Sequence, residues 1–255
     1  MRLIDVHCHY EDSRFDADRA EVLEKIQKAG IITVDAGCSL KESRKACGYA
    51  EKYSNIYFCA GIHPENAPEF SPAVLEELKK LWKHEKCVGV GEIGLDYYWS
   101  ENPPKSVQQE VFLAQAAAAK QVGLPVVIHC REAVGDMTRL VRAHDISFGI
   151  MHCFSESKET AKIYLDQGLY FSFGGTSTFK NAVRAVENLR YLPRDRVLLE
   201  TDSPYLTPVP KRGQRNDSGN LIYIAENLGR LWGVSPEEAA EITFQNACRL
   251  FGRAF

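Results

Sequence analysis

Short apolar runs alternate with longer stretches of helical periodicity along nearly the whole chain. The runs Leu3–His7, Ile31–Ala36, Ile56–Ile62, Cys87–Ile93, Pro125–His129, Phe148–His152, Leu169–Phe173 and Val197–Glu200 are too short for helices and rich in β-branched residues, so they read as strands. Between them a 3.6-residue period predicts helices over Asp18–Lys28, Lys41–Lys52, Ala73–His84, Ser106–Gln121, Val134–His144, Glu156–Gln167 and Asn181–Arg190. Two more follow the last strand, over Asn220–Leu231 and from Pro236 to Leu250. The second opens on Ser235-Pro236-Glu237-Glu238, which combines a cap, a first-turn proline and negative charge at the positive end of the helix dipole. Gly30, Gly123 and Gly168 each close a helix just before the next strand.

Eight β-then-α units can close into a barrel or lie open as a doubly wound sheet. The residues at the strand ends favour closure. His7 and His9 end the first run, Glu92 the fourth, His129 the fifth and His152 the sixth, while Asp202 follows the eighth. In an open sheet these ends would be spread along a row, whereas a barrel brings strand eight beside strand one and turns all five ends toward one axis. The expected fold is α/β, a (β/α)8 TIM barrel with an extra C-terminal helix. A single domain over residues 1–255 suits the usual length of that fold.

Composition narrows the class without naming the chemistry. With 45% hydrophobic and 25% charged residues, the chain has the balance of a soluble globular protein. A net charge of -3 argues against a broad basic coat for nucleic acid, but it permits a local basic rim. No run approaches the length of a membrane span, and acidic residues stand where a signal peptide would carry its apolar core, so the expected location is cytoplasmic. The eight cysteines form no C-x-x-C pair, which speaks against a zinc ribbon or a disulfide framework. Strand alternation turns Cys8, Cys130 and Cys153 away from the histidines they follow, toward the outer helices.

His7-Cys8-His9 places two imidazoles on one face of a strand, and His129, His152, Glu92 and Asp202 at matching ends complete a ligand set for divalent metal. Glu92 lies in Gly89-Val90-Gly91-Glu92-Ile93-Gly94, where the glycines suit close backbone approach. Four neutral imidazoles and two carboxylates carry about -2, so two divalent ions would leave the pocket near +2 and attract an anionic substrate. A metal pair can activate a water and stabilise both oxygens of an in-line displacement at phosphorus. Arg131, Lys180, Lys211, Arg212 and Arg215 lie in loops on the same rim and could hold flanking phosphates. Tyr97, Tyr98, Trp99, Phe154 and Tyr205 share those loops and could stack on unpaired bases.

Six ordered motifs carry a resemblance. Asp5-Val6-His7-Cys8-His9, Gly61-Ile62-His63-Pro64, Gly91-Glu92-Ile93-Gly94-Leu95-Asp96-Tyr97-Tyr98, Val127-Ile128-His129-Cys130-Arg131, Met151-His152-Cys153-Phe154-Ser155 and Leu199-Glu200-Thr201-Asp202-Ser203-Pro204-Tyr205 resemble the TatD family of metal-dependent deoxyribonucleases over nearly the whole chain. The resemblance implies an amidohydrolase-type barrel with two or more divalent ions (Mg, Mn or Zn) at His7, His9, Glu92, His129, His152 and Asp202. It also implies hydrolysis of DNA, often as a 3′ to 5′ exonuclease acting on single strands or 3′ ends. Glu92 would bridge the ions, and Asp202 would orient or deprotonate the attacking water.

His63 and Arg131 would be substrate-side residues, joined on the rim by Tyr205 and by the basic loop carrying Lys211, Arg212 and Arg215. Glu200 would assist a further metal or water. Two positions depart from the family pattern: Glu65 stands where many relatives have a second histidine, and Ile222 where a proline is common. Another amidohydrolase-type enzyme cleaving an amide, lactone or ester, including an aminoacyl-tRNA ester, is the enzymatic alternative. Many of those bridge their metals with a modified lysine rather than a glutamate. A metal-stabilised binding scaffold is the non-enzymatic one.

Overall fold

The computed structural model describes residues 1–255. Its strands are β1 (Ile4–Cys8), β2 (Ile32–Gly37), β3 (Ile56–Ala60), β4 (Cys87–Asp96), β5 (Val126–Arg131), β6 (Gly149–Met151), β7 (Tyr170–Phe173) and β8 (Val197–Leu199). The intervening helices are α1 (Arg19–Lys28), α2 (Leu40–Lys52), α3 (Pro72–Leu81), α4 (Lys105–Val122), α5 (Val134–Ala143), α6 (Lys158–Asp166) and α7 (Val183–Tyr191), followed by α8 (Leu221–Trp232) and α9 (Pro236–Phe251). All eight strands are parallel and neighbour one another in chain order. The expected TIM barrel is therefore observed, with α9 as the additional helix.

Helix starts follow the capping chemistry of the sequence. Ser39, Ser71, Ser157 and Ser235 each accept a hydrogen bond from the backbone N–H three residues on. Short 3-10 turns in the loops, such as Pro64–Glu69 and Gly175–Thr178, escape a periodicity reading because they are too brief to show a repeat.

The barrel interior is layered. Ile4, Val6, Val34, Cys59, Val88, Val127, Ile150, Tyr170 and Leu198, drawn from all eight strands, form one apolar cluster with Phe244, Ala247 and Leu250 of α9. The extra helix thus closes the barrel at the amino ends of its strands. Strand residues of alternate parity, including Ile128, Met151, Phe171, Val197 and Leu199, pack with the helices in a larger outer cluster. One inward position further along each strand, the apolar layer gives way to His129, His152, Ser172 and Glu200.

Two strands break strict alternation. In β1, Asp5 pairs with Thr33 but Cys8 pairs with Asp35, so three steps on β1 match two on β2. In β4, Val90 pairs with Val126 and Ile93 with Ile128. An extra residue of this kind rotates the strand and re-aims the side chains that follow. The bulges lie at the residues that carry His7 and Glu92, so an apolar Val6 and a polar His7 can both serve the interior. Cys8 packs in the outer cluster and Cys130 against it, as alternation predicts. Cys153 does not: it adopts a left-handed backbone (φ 47°) and its N–H donates to Glu200 Oε1 at 2.7 Å, so it stays beside the site rather than under the helices.

No ladder joins β8 to β1. The seam is closed by Asp5, whose fully buried carboxylate accepts hydrogen bonds from Thr201 N at 2.8 Å, from Thr201 Oγ1 and from Ser218 Oγ at 2.6 Å. Above it, Asp202 N donates to His7 O at 3.0 Å and His9 N to Ser203 O at 2.7 Å. These bonds register the His7–His9 segment against the Asp202 turn.

Burial pushes the Asp5 carboxyl up to about 7, even though the Ser218 and Thr201 bonds pull the other way. A carboxyl whose folded value exceeds its unfolded one favours folding fully only below the unfolded value, and that contribution is lost as pH rises toward 7. Asp5→Asn keeps one acceptor oxygen but sets an NH2 donor against the Thr201 and Ser218 hydroxyls, and should cost about 2 kcal/mol at pH 5. The gap from wild type should narrow between pH 5 and pH 8, as read from urea unfolding at both. An equal gap at the two pH values would contradict the role given to Asp5.

Candidate active site

The six strand-end residues converge at the carboxyl mouth of the barrel. Glu92 is central and nearly fully buried. Its Oε2 lies 3.3 Å from His7 Nε2 and 3.5 Å from His9 Nε2. Those two nitrogens face each other at 3.0 Å and lie 3.7 and 3.4 Å from Asp202 Oδ1. The other oxygen, Oε1, lies 2.7 Å from His129 Nδ1, 3.1 Å from His152 Nε2 and 3.7 Å from His63 Nε2. One carboxylate therefore separates two clusters of donor atoms.

The backbone that delivers these groups is specialised. A Cβ on Gly94 would lie 1.9 Å from His129 O, so glycine is what allows β4 and β5 to approach here. Asp202 adopts a left-handed backbone (φ 56°) that an aspartate tolerates at some cost. Its N–H bond to His7 O and its carbonyl bond from Tyr205 N, at 2.8 Å, hold that turn.

Atoms about 2.1 Å from one divalent ion and roughly a right or tetrahedral angle apart lie about 3.0–3.4 Å from each other. The distances among His7, His9, Asp202 and Glu92 Oε2 centre on that range. Electrostatics agree. Burial alone would raise the Glu92 carboxyl, but the imidazoles of His152, His63 and His7 and the His129 hydrogen bond hold it well below its ordinary value. Asp202 is likewise lowered, burial being outweighed by the His9 hydrogen bond and by His152. Burial lowers His7 and brings His63 down to about 3, which leaves their lone pairs free, whereas neighbouring acid groups and hydrogen bonds outweigh burial and raise His9, His129 and His152, whose protons a metal would displace. These donors fit divalent metal.

A second set of groups orients the first. His129 turns Nε2 toward Asp96 Oδ2 at 3.1 Å, and His9 Nδ1 lies 2.8 Å from Ala36 O and 3.2 Å from Glu11 Oε1. Glu200 is fully buried, accepts from Ser172 Oγ at 2.6 Å, and stands 3.5 Å from His152 Nδ1, which has no other partner. Its place is thus behind a histidine. Carboxylates and carbonyls in this position fix the ring and raise ligand basicity.

Asp96, Glu11 and Cys38 were not singled out in the sequence. Asp96 could have been, since it lies four residues beyond Glu92 on the inward parity of β4. Cys38 Sγ, 3.6 Å from Glu92 Oε2, follows an apolar strand with no pattern to mark it.

Rim residues divide into free and engaged. His63 is buried, grouped with Glu92 and His129. Arg131 is exposed and stacks on Tyr98 at 3.9 Å, and Arg212 stacks on Phe179 at 3.8 Å. Lys211 is half-buried and Lys180 exposed. Arg215 is committed to its own loop: it pairs with both Asp18 oxygens at 2.8 and 2.6 Å and donates to Arg14 O. Tyr205 donates its hydroxyl to Asp12 Oδ2 at 2.7 Å, with Arg14 over its ring. Tyr97 bonds Asp136, and Phe154 is buried against Tyr164 and Phe171, so neither offers a free face.

The model of TatD-related DNases matches residues 4–252. The chain belongs to that family. A metal-dependent hydrolase of Bacillus subtilis, YabD, is 42% identical over 253 residues, covering 98% of each chain. A protein of Cronobacter sakazakii named 3′-5′ ssDNA/RNA exonuclease TatD is 31% identical over 257 residues, covering 98% of this chain and 97% of that one. The crystal structure of YjjV, a TatD homologue from Escherichia coli, superposes with a TM-score of 0.92 at 29% identity, covering 99% of both chains. This chain is accordingly a TatD-family metal-dependent hydrolase, and no helix in it is long and apolar enough to cross a membrane.

If Glu200 orients His152, Glu200→Gln should leave the barrel folded and weaken divalent-metal binding about 10- to 100-fold in a chelator competition titration. An unchanged affinity would remove Glu200 from the site.

Proposed function

We propose that this TatD-family protein hydrolyses phosphodiesters in DNA as a 3′ to 5′ exonuclease on single strands, using two divalent ions at His7, His9, Glu92, His129, His152 and Asp202. The observation that carries the reading is the placement of Glu92, one oxygen toward His7, His9 and Asp202 and the other toward His129, His152 and His63. Glu92 and the side chains grouped around its two oxygens would hold the cations. His63 is read as belonging to the second cluster. Bound divalent ions supply Lewis acidity and lower the pKa of a coordinated water.

The protein's own groups do the rest. Asp202 reaches the mouth of the barrel with its carboxylate held ionised, so it can take a proton from the attacking water. Glu11, Asp96 and Glu200 keep the imidazoles in fixed orientations. Arg131, Lys211 and Arg212 provide positive charge around a mouth in a chain whose net charge is -3. That placement favours a polyanion bound at the mouth. The name of the Cronobacter relative supports single-stranded nucleic acid as substrate.

Asp202→Asn and Glu92→Gln should each keep the fold and lose at least about a hundredfold in cleavage of an end-labelled single-stranded oligodeoxynucleotide. Retained activity in both would refute the assignment. Chelation should abolish cleavage, and re-addition of Mg²⁺, Mn²⁺ or Zn²⁺ should restore it. Products shortened one nucleotide at a time from the 3′ end would support the polarity, while internal fragments would overturn it. Comparing DNA, RNA and ester substrates under one metal regime separates this reading from an amide- or ester-cleaving one.

A further inference from the structure

Two aromatic side chains at the barrel mouth stand in solvent. Tyr98 is 51% and Trp99 47% exposed, whereas the other two tryptophans, Trp82 and Trp232, are buried. Their rings meet edge to face with centroids 4.7 Å apart. The Arg131 guanidinium lies 3.9 Å from the Tyr98 centroid and 5.3 Å from that of Trp99. It makes no ion pair and no side-chain hydrogen bond, so its N–H donors face outward unused. Adjacent exposed aromatics beside a reactive cluster mark a binding surface more than a packing accident.

The backbone ties this surface to the candidate metal site. Asp96 ends β4 and pairs with Arg131 in the β4–β5 ladder. One Asp96 oxygen faces His129 Nε2 at 3.1 Å, while the other accepts from Tyr98 N at 2.9 Å. A single carboxylate thus fixes both an imidazole of the reactive cluster and the first residue of the aromatic pair. Elsewhere on the mouth the same pairing recurs, with Arg14 over Tyr205 and Arg212 over Phe179. Cations alternating with π faces suit a ligand that alternates anions with flat rings.

We infer that Tyr98, Trp99 and Arg131 form a nucleobase subsite, which stacks one unpaired base of the strand whose phosphodiester is held at Glu92. The inference rests on the nucleic-acid reading above and adds its selectivity. Aromatic faces stack on any base but only on one freed from its duplex neighbours, so this surface favours single strands without preferring a sequence. Arg131 is placed to pair with an adjoining phosphate while its plane rests on Tyr98.

The test uses metal-loaded protein and a thymidine oligonucleotide whose last linkages are phosphorothioate, to slow cleavage. A fluorescein at the 5′ end of the oligonucleotide reports binding by anisotropy in every variant, and in wild type, with Trp82 and Trp232 buried, quenching of the Trp99 fluorescence reports contact at the subsite. Trp99→Ala should weaken binding about 5- to 100-fold, and Trp99→Phe should keep most of it. Abasic sugars at the last three positions should weaken wild type by a similar factor, and the two changes together should be little worse than either alone.

Penalties that multiply, a Trp99→Ala protein that binds like wild type, or no binding by wild type would each overturn the subsite. Coupled binding without cleavage of the unmodified strand would sink the hydrolytic reading and leave the subsite standing. Cleavage with multiplying penalties would do the reverse.

Discussion

A carboxylate removed from water at the axis of a barrel costs several kcal/mol unless opposite charge or hydrogen-bond donors surround it. Glu92 is that carboxylate, and much of the chain is arranged to meet its requirement. Five imidazoles, those of His7, His9, His63, His129 and His152, lie within 3.7 Å of its oxygens. Histidine suits the task because its nitrogens can either donate to a carboxylate or present a lone pair to a cation. The same cluster can thus be stable with protons in it and reactive with metal in it, and cation binding would release those protons.

The requirement is met at a point where the barrel is weakest. Strands β8 and β1 share no ladder, yet they carry Asp202 on one side and His7 and His9 on the other. Asp5 bridges that seam from below through Thr201 and Ser218, while backbone bonds from Asp202 to His7 and from His9 to Ser203 bridge it from above. A continuous ladder would hold the two strands in fixed pleated register. Side-chain bridging instead allows the left-handed turn at Asp202, which points its carboxylate back over the axis.

The fold and the convergence of the six strand-end residues were legible because both follow from periodicity and strand direction. Short apolar runs ending in His, Glu or Asp state where a strand stops and what it delivers. The bulges at Asp5–Cys8 and Val90–Ile93 were not legible, since an extra residue changes how a strand pairs with its neighbour and not the composition of the run. Cys153 was misplaced for a related reason: its backbone turns left-handed one residue after His152, where alternation no longer applies. Asp96 carried a signal in its parity with Glu92, whereas Glu11 was missed because a lone acid near a loop is ordinarily solvated. Their orienting role exists only once β5 and β2 are in place beside them.

Charge on the rim shows most clearly why identity alone does not assign a role. Arg131 and Arg215 both carry a guanidinium on the rim, one at the end of β5 and the other in the long loop after β8. Arg215 is neutralised by both oxygens of Asp18, and that pair anchors the long loop after β8 to the start of α1. Its charge is screened from any ligand and its geometry is already fixed. Arg131 meets only aromatic faces, which orient a guanidinium without cancelling its charge. An arginine left charged, oriented and unpaired beside the candidate metal site attracts phosphate, and it does so in a protein whose overall charge is negative. The field that draws a polyanion to this barrel is therefore local to the mouth, set by which arginines lack an acid partner rather than by how many the chain contains.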